Sequence, residues 1–300
     1  MPAASVRPWA GKRLAAHGQD IGELWLAGPG SVVVDRDGGP ATLDGLASTL
    51  GEAFVGEAAM ERYGARFPLL AKLIDAADWL SLQVHPDDAL ARELVGPDAV
   101  GKTEAWVVLD AAAGAELIVG AADGVSEAEL RGAIARGTAG RVECRVQPAI
   151  AGDVLLIRAG TLHAIGGGTF LYELQQPSDL TFRVSDWGRT GRQVHVEPSL
   201  RALVAGAVAE PRGRDFRVDD GGLEVPELRL ELLSTAERAE RRSSGRSLAV
   251  VTALRGSVTA RGEGWAETLR PFETLVVPAA LAAWSLDGAS DGLAAIGTLP

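Results

Sequence analysis

The 300-residue chain is poor in several things at once. It has one cysteine, Cys144, so no disulfide can form within it. That fits a reducing compartment and excludes a small disulfide-stapled scaffold. It has no apolar run near the ~20 residues that a membrane span requires. Met1–Arg13 carries no apolar stretch of signal-peptide length, so a cytoplasmic location is expected. It also lacks a positive excess. The formal net charge is -11, which repels nucleic acid and anionic membranes at long range. Any anionic small molecule must therefore be met by a few local cations.

Lysine is scarce. Only Lys12, Lys72 and Lys102 are present, and the remaining 26 of the 29 basic residues are arginine. Histidine is scarce too: His17, His85, His163 and His195, with none in the last third of the chain. His17 lies in a Gly-rich stretch and is expected at the surface. Trp9, Trp25, Trp106 and Trp187 read as core or pocket wall.

Many short apolar strings alternate with turn residues. Strands are expected at Leu80–His85, Ala105–Leu109, Glu116–Val119, Glu143–Val146, Val154–Ile157, Phe170–Leu174 and Leu180–Val184. Helices are expected over 48–66, over 126–136 and over 197–207. The second starts at a capping box, Ser126 with Glu129, and the third at Glu197-Pro198-Ser199. This texture predicts a mainly β fold of sandwich or barrel type with a few helices. Leu275-Val276-Val277-Pro278-Ala279 echoes Leu155-Leu156-Ile157-Arg158-Ala159, and the same offset sets Ala283 opposite His163. Two related barrels or a chance likeness of two strand-and-turn segments would each produce this. The working division is a catalytic domain over 1–207, with helical segments, and a C-terminal β-barrel over 208–300 without metal ligands.

Gln83 and His85 are two apart on an expected strand, so both side chains share one face. Gly152, Arg158-Ala159-Gly160 and His163 make a turn, a strand, a tight Gly turn and a histidine. This resembles the second motif of the cupin superfamily, with Arg158 where proline is commonest. Gln83-Val84-His85 stands where the first cupin motif offers histidines, and Glu104 follows. Two imidazoles, a carboxylate and an amide oxygen suit one Zn2+ per chain, other divalent metals being tolerable.

Four segments carry a more specific likeness. They are Leu80–Asp88, Gly101-Lys102-Thr103-Glu104-Ala105-Trp106, Ala159–Gly166 and Tyr172–Arg189. In that order they resemble the type I mannose-6-phosphate isomerases, in their short bacterial form, over about residues 7–200. The resemblance implies two jelly-roll cupin barrels and an interconversion of mannose 6-phosphate and fructose 6-phosphate through a cis-enediol. It implies metal ligands at Gln83, His85, Glu104 and His163, and active-site residues at Lys102, Glu173, Asp179 and Arg183. Ser81, Lys102 and Arg183 are expected to hold the sugar phosphate.

Asp179 and Arg183, four apart, are expected to pair on one strand face. Longer family members place a histidine before the lysine; Gly101 stands there instead. His195 could face the barrel or solvent. Other readings are a different sugar-phosphate isomerase or epimerase of the cupin class, or a sugar-binding cupin without turnover. A small sugar phosphate is the expected partner, with no nucleic acid and no membrane; the oligomeric state is left open.

Overall fold

The computed structural model describes residues 2–34, 39–204, 206–217 and 222–300. The architecture is mainly β, as the sequence texture predicts. In chain order the strands begin with β1 (Ala3–Val6), β2 (Ile21–Ala27), β3 (Val32–Val34), β4 (Pro40–Thr42), β5 (Leu70–Asp75) and β6 (Leu82–Val84). They continue with β7 (Glu104–Ala111), β8 (Glu116–Ala121), β9 (Cys144–Pro148), β10 (Val154–Ile157), β11 (Ala164–Ile165) and β12 (Thr169–Gln175). Next come β13 (Phe182–Ser185) and β14 (Glu210–Gly213).

The chain divides into two compact units. One comprises Ala4–Leu24 with Leu73–Phe216, and the other comprises the residues up to Ala3, Trp25–Lys72 and Arg217–Pro300. The expected division at 207/208 differs from this in two places. Glu210–Gly213 pairs antiparallel with Val154–Ile157, so this strand completes the first unit's sheet and moves the boundary past it. The helical stretch expected in 1–207 belongs instead with the C-terminal residues. There Leu248 N–H donates to Val55 O, and Ala279 N–H donates to Phe54 O.

That stretch is also not one helix. It forms α1 (Leu43–Leu50), α2 (Glu52–Val55) and α3 (Glu57–Tyr63). Gly51 and Gly56 separate them at φ 55° and 91°, conformations that end a right-handed helix and suit glycine. The other helices are α4 (Asp88–Leu94), α5 (Glu127–Ala135) and α6 (Val196–Ala202). α5 opens on the expected capping box of Ser126 and Glu129. α6 stops at Ala202, five residues before the expected end.

The main sheet runs β1-β2-β5-β12-β7-β10-β14, beside a three-stranded sheet β11-β8-β9 and the pair β13-β6. One apolar cluster fills the space with Trp9, Ile74, Trp106, Leu117, Leu155 and Ile157 among its members. A second gathers Leu82, Val84, Phe182 and Val184 with α5 and α6 residues. Since β6 and β13 bury these alternate residues on one face, Gln83 and Arg183 are turned to the other. Both face positions are paired across the ladder, Arg183 opposite Gln83.

The second unit holds β15 (Leu223–Val225), β16 (Leu228–Ser234), β17 (Ala239–Arg242), β18 (Ala249–Arg255), β19 (Val258–Gly262), β20 (Trp265–Leu269), β21 (Thr274–Val277), β22 (Ala283–Gly288) and β23 (Leu293–Thr298). Its sheets run β15-β16-β23-β18-β21 and β17-β22-β19-β20. Val251, Ala253, Val258, Ala260, Leu286 and Ile296 belong to its apolar core. No described helix is long and apolar enough to cross a membrane.

Candidate active site

The site lies within the unit of Ala4–Leu24 and Leu73–Phe216, on the free face of β6 and the start of β7. His85 follows β6 directly, and Glu104 is the first residue of β7. His163 joins through an isolated bridge to Gln83, each backbone N–H donating to the other's carbonyl. Its approach depends on Gly160, which sits at φ 88°. A Cβ there would collide with the Val204 side chain, so the tight turn that delivers His163 admits no larger residue.

His85, Glu104 and His163 converge. One ligand atom from each lies within 4.8 Å of the others. Glu104 and His163 are fully buried and His85 is 1% exposed. Both imidazoles are oriented from behind. His85 Nδ1 lies 3.1 Å from Leu180 O and His163 Nδ1 2.9 Å from Thr161 O. A carbonyl only accepts, so each Nδ1 carries the proton and each Nε2 presents its lone pair to Glu104. His85 Nε2 is 3.2 Å from Glu104 Oε1, and His163 Nε2 is 3.7 Å from Oε2. Lone pairs and a carboxylate facing one another call for a cation.

Lys102 supplies one: its Nζ is 2.6 Å from Glu104 Oε1 and 3.3 Å from His85 Nε2. Burial pushes the His85 imidazole down to about 3, and the Lys102 ammonium adds to this, so the ring is neutral at neutral pH. Burial alone would raise the Glu104 carboxyl. The Lys102 ammonium overrides it and holds the group well below the usual carboxylate range.

Gln83 brings its amide to the cluster, with Nε2 donating to His163 Nε2 at 3.1 Å. Its Oε1 accepts from Ser81 Oγ at 3.3 Å. A half-turn of the amide exchanges the two atoms, and the Ser81 hydroxyl serves either orientation because it both donates and accepts. The set then offers two nitrogens and two kinds of oxygen with no thiolate, which fits a borderline divalent metal. The pinned Nδ1 atoms are the outer supports such a site needs.

Beside this cluster sits a second carboxylate. Trp106 Nε1 donates to Glu173 Oε2 at 2.8 Å and to Glu104 Oε2 at 3.2 Å, so one indole N–H ties both together. The ladder explains it: Glu173 on β12 is the partner of Trp106 on β7. Glu173 is 2% exposed. Trp106 reads from the sequence as core or pocket wall and is fully buried, while its hydrogen-bonding role has no signal in sequence spacing.

The Lys102 loop is itself built. Lys102 N–H donates to Pro86 O, Thr103 N–H to Gln176 Oε1, and Gly101 N–H to Asp88 Oδ1. A Cβ on Gly101 would stand 2.5 Å from the Asp87 carbonyl carbon. The close approach of backbone to backbone leaves no room for a side chain at this position.

The expected Asp179–Arg183 pair does not form. Asp179 lies exposed in the loop before β13, not on the strand, so the alternation that would align the two does not apply. Arg183 instead donates through Nη1 to Gln193 O at 2.7 Å. Burial, and then the neighbouring Arg192, holds its guanidinium below its ordinary value, with Asp186 opposing. His195 is structural: its Nδ1 accepts from Arg183 N–H at 3.0 Å. His17 is exposed, as expected.

Comparison with known proteins now bears on this geometry. Residues 8–102 match the family model for phosphomannose isomerase type I, catalytic domain. A mannose-6-phosphate isomerase of Streptococcus mutans is 35% identical over 93% of this chain and 92% of its own. The chain belongs to the mannose-6-phosphate isomerase family. A second member, mannose-6-phosphate isomerase ManA of Bacillus subtilis, is 32% identical over 70% of this chain and 68% of its own. The crystal structure of the Bacillus subtilis mannose 6-phosphate isomerase covers 99% of this chain and 98% of its own, with a TM-score of 0.83 at 25% identity. The family's cupin-type fold therefore extends over both units.

Proposed function

We propose that this chain interconverts mannose 6-phosphate and fructose 6-phosphate through a cis-enediol, with one divalent metal held by Gln83, His85, Glu104 and His163. The observation that carries the reading is the buried cluster of His85, Glu104 and His163, with both rings pinned through Nδ1 and a second buried carboxylate at its side. Zinc suits this donor set best. When bound, the metal supplies a Lewis acid for the oxygens on C1 and C2 of the sugar.

The chain's own residues supply the rest. Glu173 moves the proton between C1 and C2. Glu173 is buried beside the metal cluster and held by the Trp106 indole, which places a carboxylate where a proton carrier is needed. Trp106 fixes where that carboxylate points. Lys102 balances charge that develops on the sugar oxygens. Arg183 and Ser81 hold the phosphate end, Arg183 with the fork geometry that phosphate accepts. Gly101 leaves no histidine to share the proton transfer, and Asp179, exposed in the loop before β13, is given no step.

A coupled assay for fructose 6-phosphate from mannose 6-phosphate tests the whole. Zinc-replete protein should form product, and chelator should lower the rate by at least ~100-fold, restored by zinc. No product from zinc-replete protein overturns the reading. Glu173→Gln should lower turnover by about 10²- to 10⁴-fold, the usual worth of a general base, with metal content at the wild-type level. Retained turnover removes Glu173 from the mechanism.

A further inference from the structure

A chain with net charge -11 gathers positive charge at one place beside its candidate site. Arg183, Arg189 and Arg192 lie within ten residues of one another, around a single buried carboxylate, Asp186. Arg189 Nη2 and Arg192 Nη1 both donate to Asp186 Oδ1, at 2.9 and 3.1 Å. Arg189 is also held by Asp78, at 3.1 Å through Nη1. The nearby Arg7 already has Glu23 as its partner at 2.9 Å. Three guanidiniums thus share two carboxylates, and the surplus falls on Arg183 and Arg192.

These two repel. Burial lowers the affinity of both guanidiniums for their protons, and Arg192 is the largest charge acting against Arg183. Their bonding is also incomplete. Among the described residues Arg192 donates through Nη1 alone, to Asp186, and Arg183 through Nη1 alone, to Gln193 O. The Arg183 Nε is buried with no partner in the protein. Two like charges held together with donors to spare favour an anion between them.

The loop that brings them together is built at a cost. Trp187 takes φ 57°, a left-handed conformation that a bulky residue avoids. Its indole N–H donates to Leu80 O at 2.6 Å and its ring lies 5.7 Å from that of Trp79. That anchoring turns the chain so that Asp186 and Arg189 face inward on either side of Trp187. The cluster is tied to the candidate metal site through Arg183, the cross-strand partner of Gln83. Directly opposed residues of an antiparallel pair stand about 5 Å apart on one face.

We propose that Arg192 is a phosphate-binding residue, the second guanidinium of a seat shared with Arg183, and that Asp186 is a positioning residue which aims it. The ligand chemistry is a phosphomonoester dianion. Arg192 meets the phosphate oxygens, while Asp186, fixed by Arg189 and the strained Trp187 turn, keeps Arg192 from swinging into solvent. The proposal rests on the sugar-phosphate reading above and specifies which end of the substrate this part of the site recognises.

Inorganic phosphate is the probe, measured in zinc-loaded protein both by calorimetry and as a competitive inhibitor. Arg192→Ala should weaken phosphate binding by about 10- to 100-fold, the range for one lost charge-assisted contact. KM for mannose 6-phosphate should rise by a similar factor, kcat should change less, and zinc content should stay at the wild-type level. Arg192→Lys should recover part of the loss, because it restores the charge without the fork. Asp186→Asn should fall between wild type and Arg192→Ala. If the alanine variant fails to fold, Arg192→Gln keeps most of the side-chain length, and the same shifts are expected. Phosphate affinity and KM within twofold of wild type in a folded Arg192 variant overturn the proposal. The calorimetric series reads the seat even if the wild-type protein fails to isomerise mannose 6-phosphate, so the two readings fail separately.

Discussion

Strands β7 to β12 and strands β18 to β23 run in the same order. In the first set β12-β7-β10 lie side by side and β11-β8-β9 form the other sheet; in the second the orders are β23-β18-β21 and β22-β19-β20. The registers correspond residue by residue. Trp106 is flanked by Glu173 and Leu155, and Val251 by Ile296 and Leu275. Glu104 pairs with Ile157 where Ala249 pairs with Val277. So where the first set buries Glu104, Trp106 and Glu173, the second buries Ala249, Val251 and Ile296. The same backbone plan accepts either an apolar interior or a charged one. The charged one survives only because each group has a partner: Lys102 for Glu104, and the Trp106 indole for both carboxylates.

The largest effect should come from making the first set resemble the second. Glu104→Ala removes the only carboxylate among the three clustered ligands and leaves the Lys102 ammonium buried without its counter-charge. Bound metal should fall from about one per chain to near zero by elemental analysis, and turnover should fall by at least ~10³-fold. The metal-free protein should also lose about 3–5 kcal/mol of stability by denaturant melting, the usual cost of breaking a buried ion pair. Metal retained at the wild-type level would mean that the two sets do not differ where the registers say they do.

The reverse change is smaller. Ile296→Glu places a carboxyl at the position of Glu173, but Val251 offers no N–H there, so the group is buried without a partner. It should cost about 2–5 kcal/mol by denaturant melting and leave the zinc content unchanged. A cost below ~1 kcal/mol would show that the second interior already has polar groups or water to receive it. That would weaken the contrast.

How much of this was legible beforehand follows the range of the interaction. Leu155–Ala159 and Leu275–Ala279 are alike in sequence and lie on β10 and β21, which take the same place in their sheets, though the local likeness alone left a repeat and a chance resemblance equally open. Gln83, His85, Glu104 and His163 carried turn and strand signals of their own, and the structure brings them together. What failed depended on long-range partners. Asp179 and Arg183 looked like a strand pair at spacing four, yet the strand begins only at Phe182, and Gln193 captures the arginine from a later loop. The helical stretch over 48–66 read as continuous because its propensity is high, while Gly51 and Gly56 break it into three. Glu210–Gly213 joined the first unit through its pairing with β10, which no local pattern announces.

The finest difference between the two strand sets is a single N–H. Trp106 matches Val251 in place, but only the indole donates, and it does so to Glu104 Oε2 and Glu173 Oε2 together. Trp106→Phe keeps a large ring against His163, whose own ring now stands 5.5 Å away edge-on, and deletes the donor alone. Both carboxylates then lose a buried partner, at a cost of about 1–3 kcal/mol in thermal or denaturant melting. The Glu173 carboxyl, no longer held in place, should also act less well as a base, so turnover should drop by about 10-fold or more with zinc content near wild type. If turnover and stability both stay within error of wild type, the indole is only wall, and the charged interior of the first set is sustained by Lys102 and the bound cation without it.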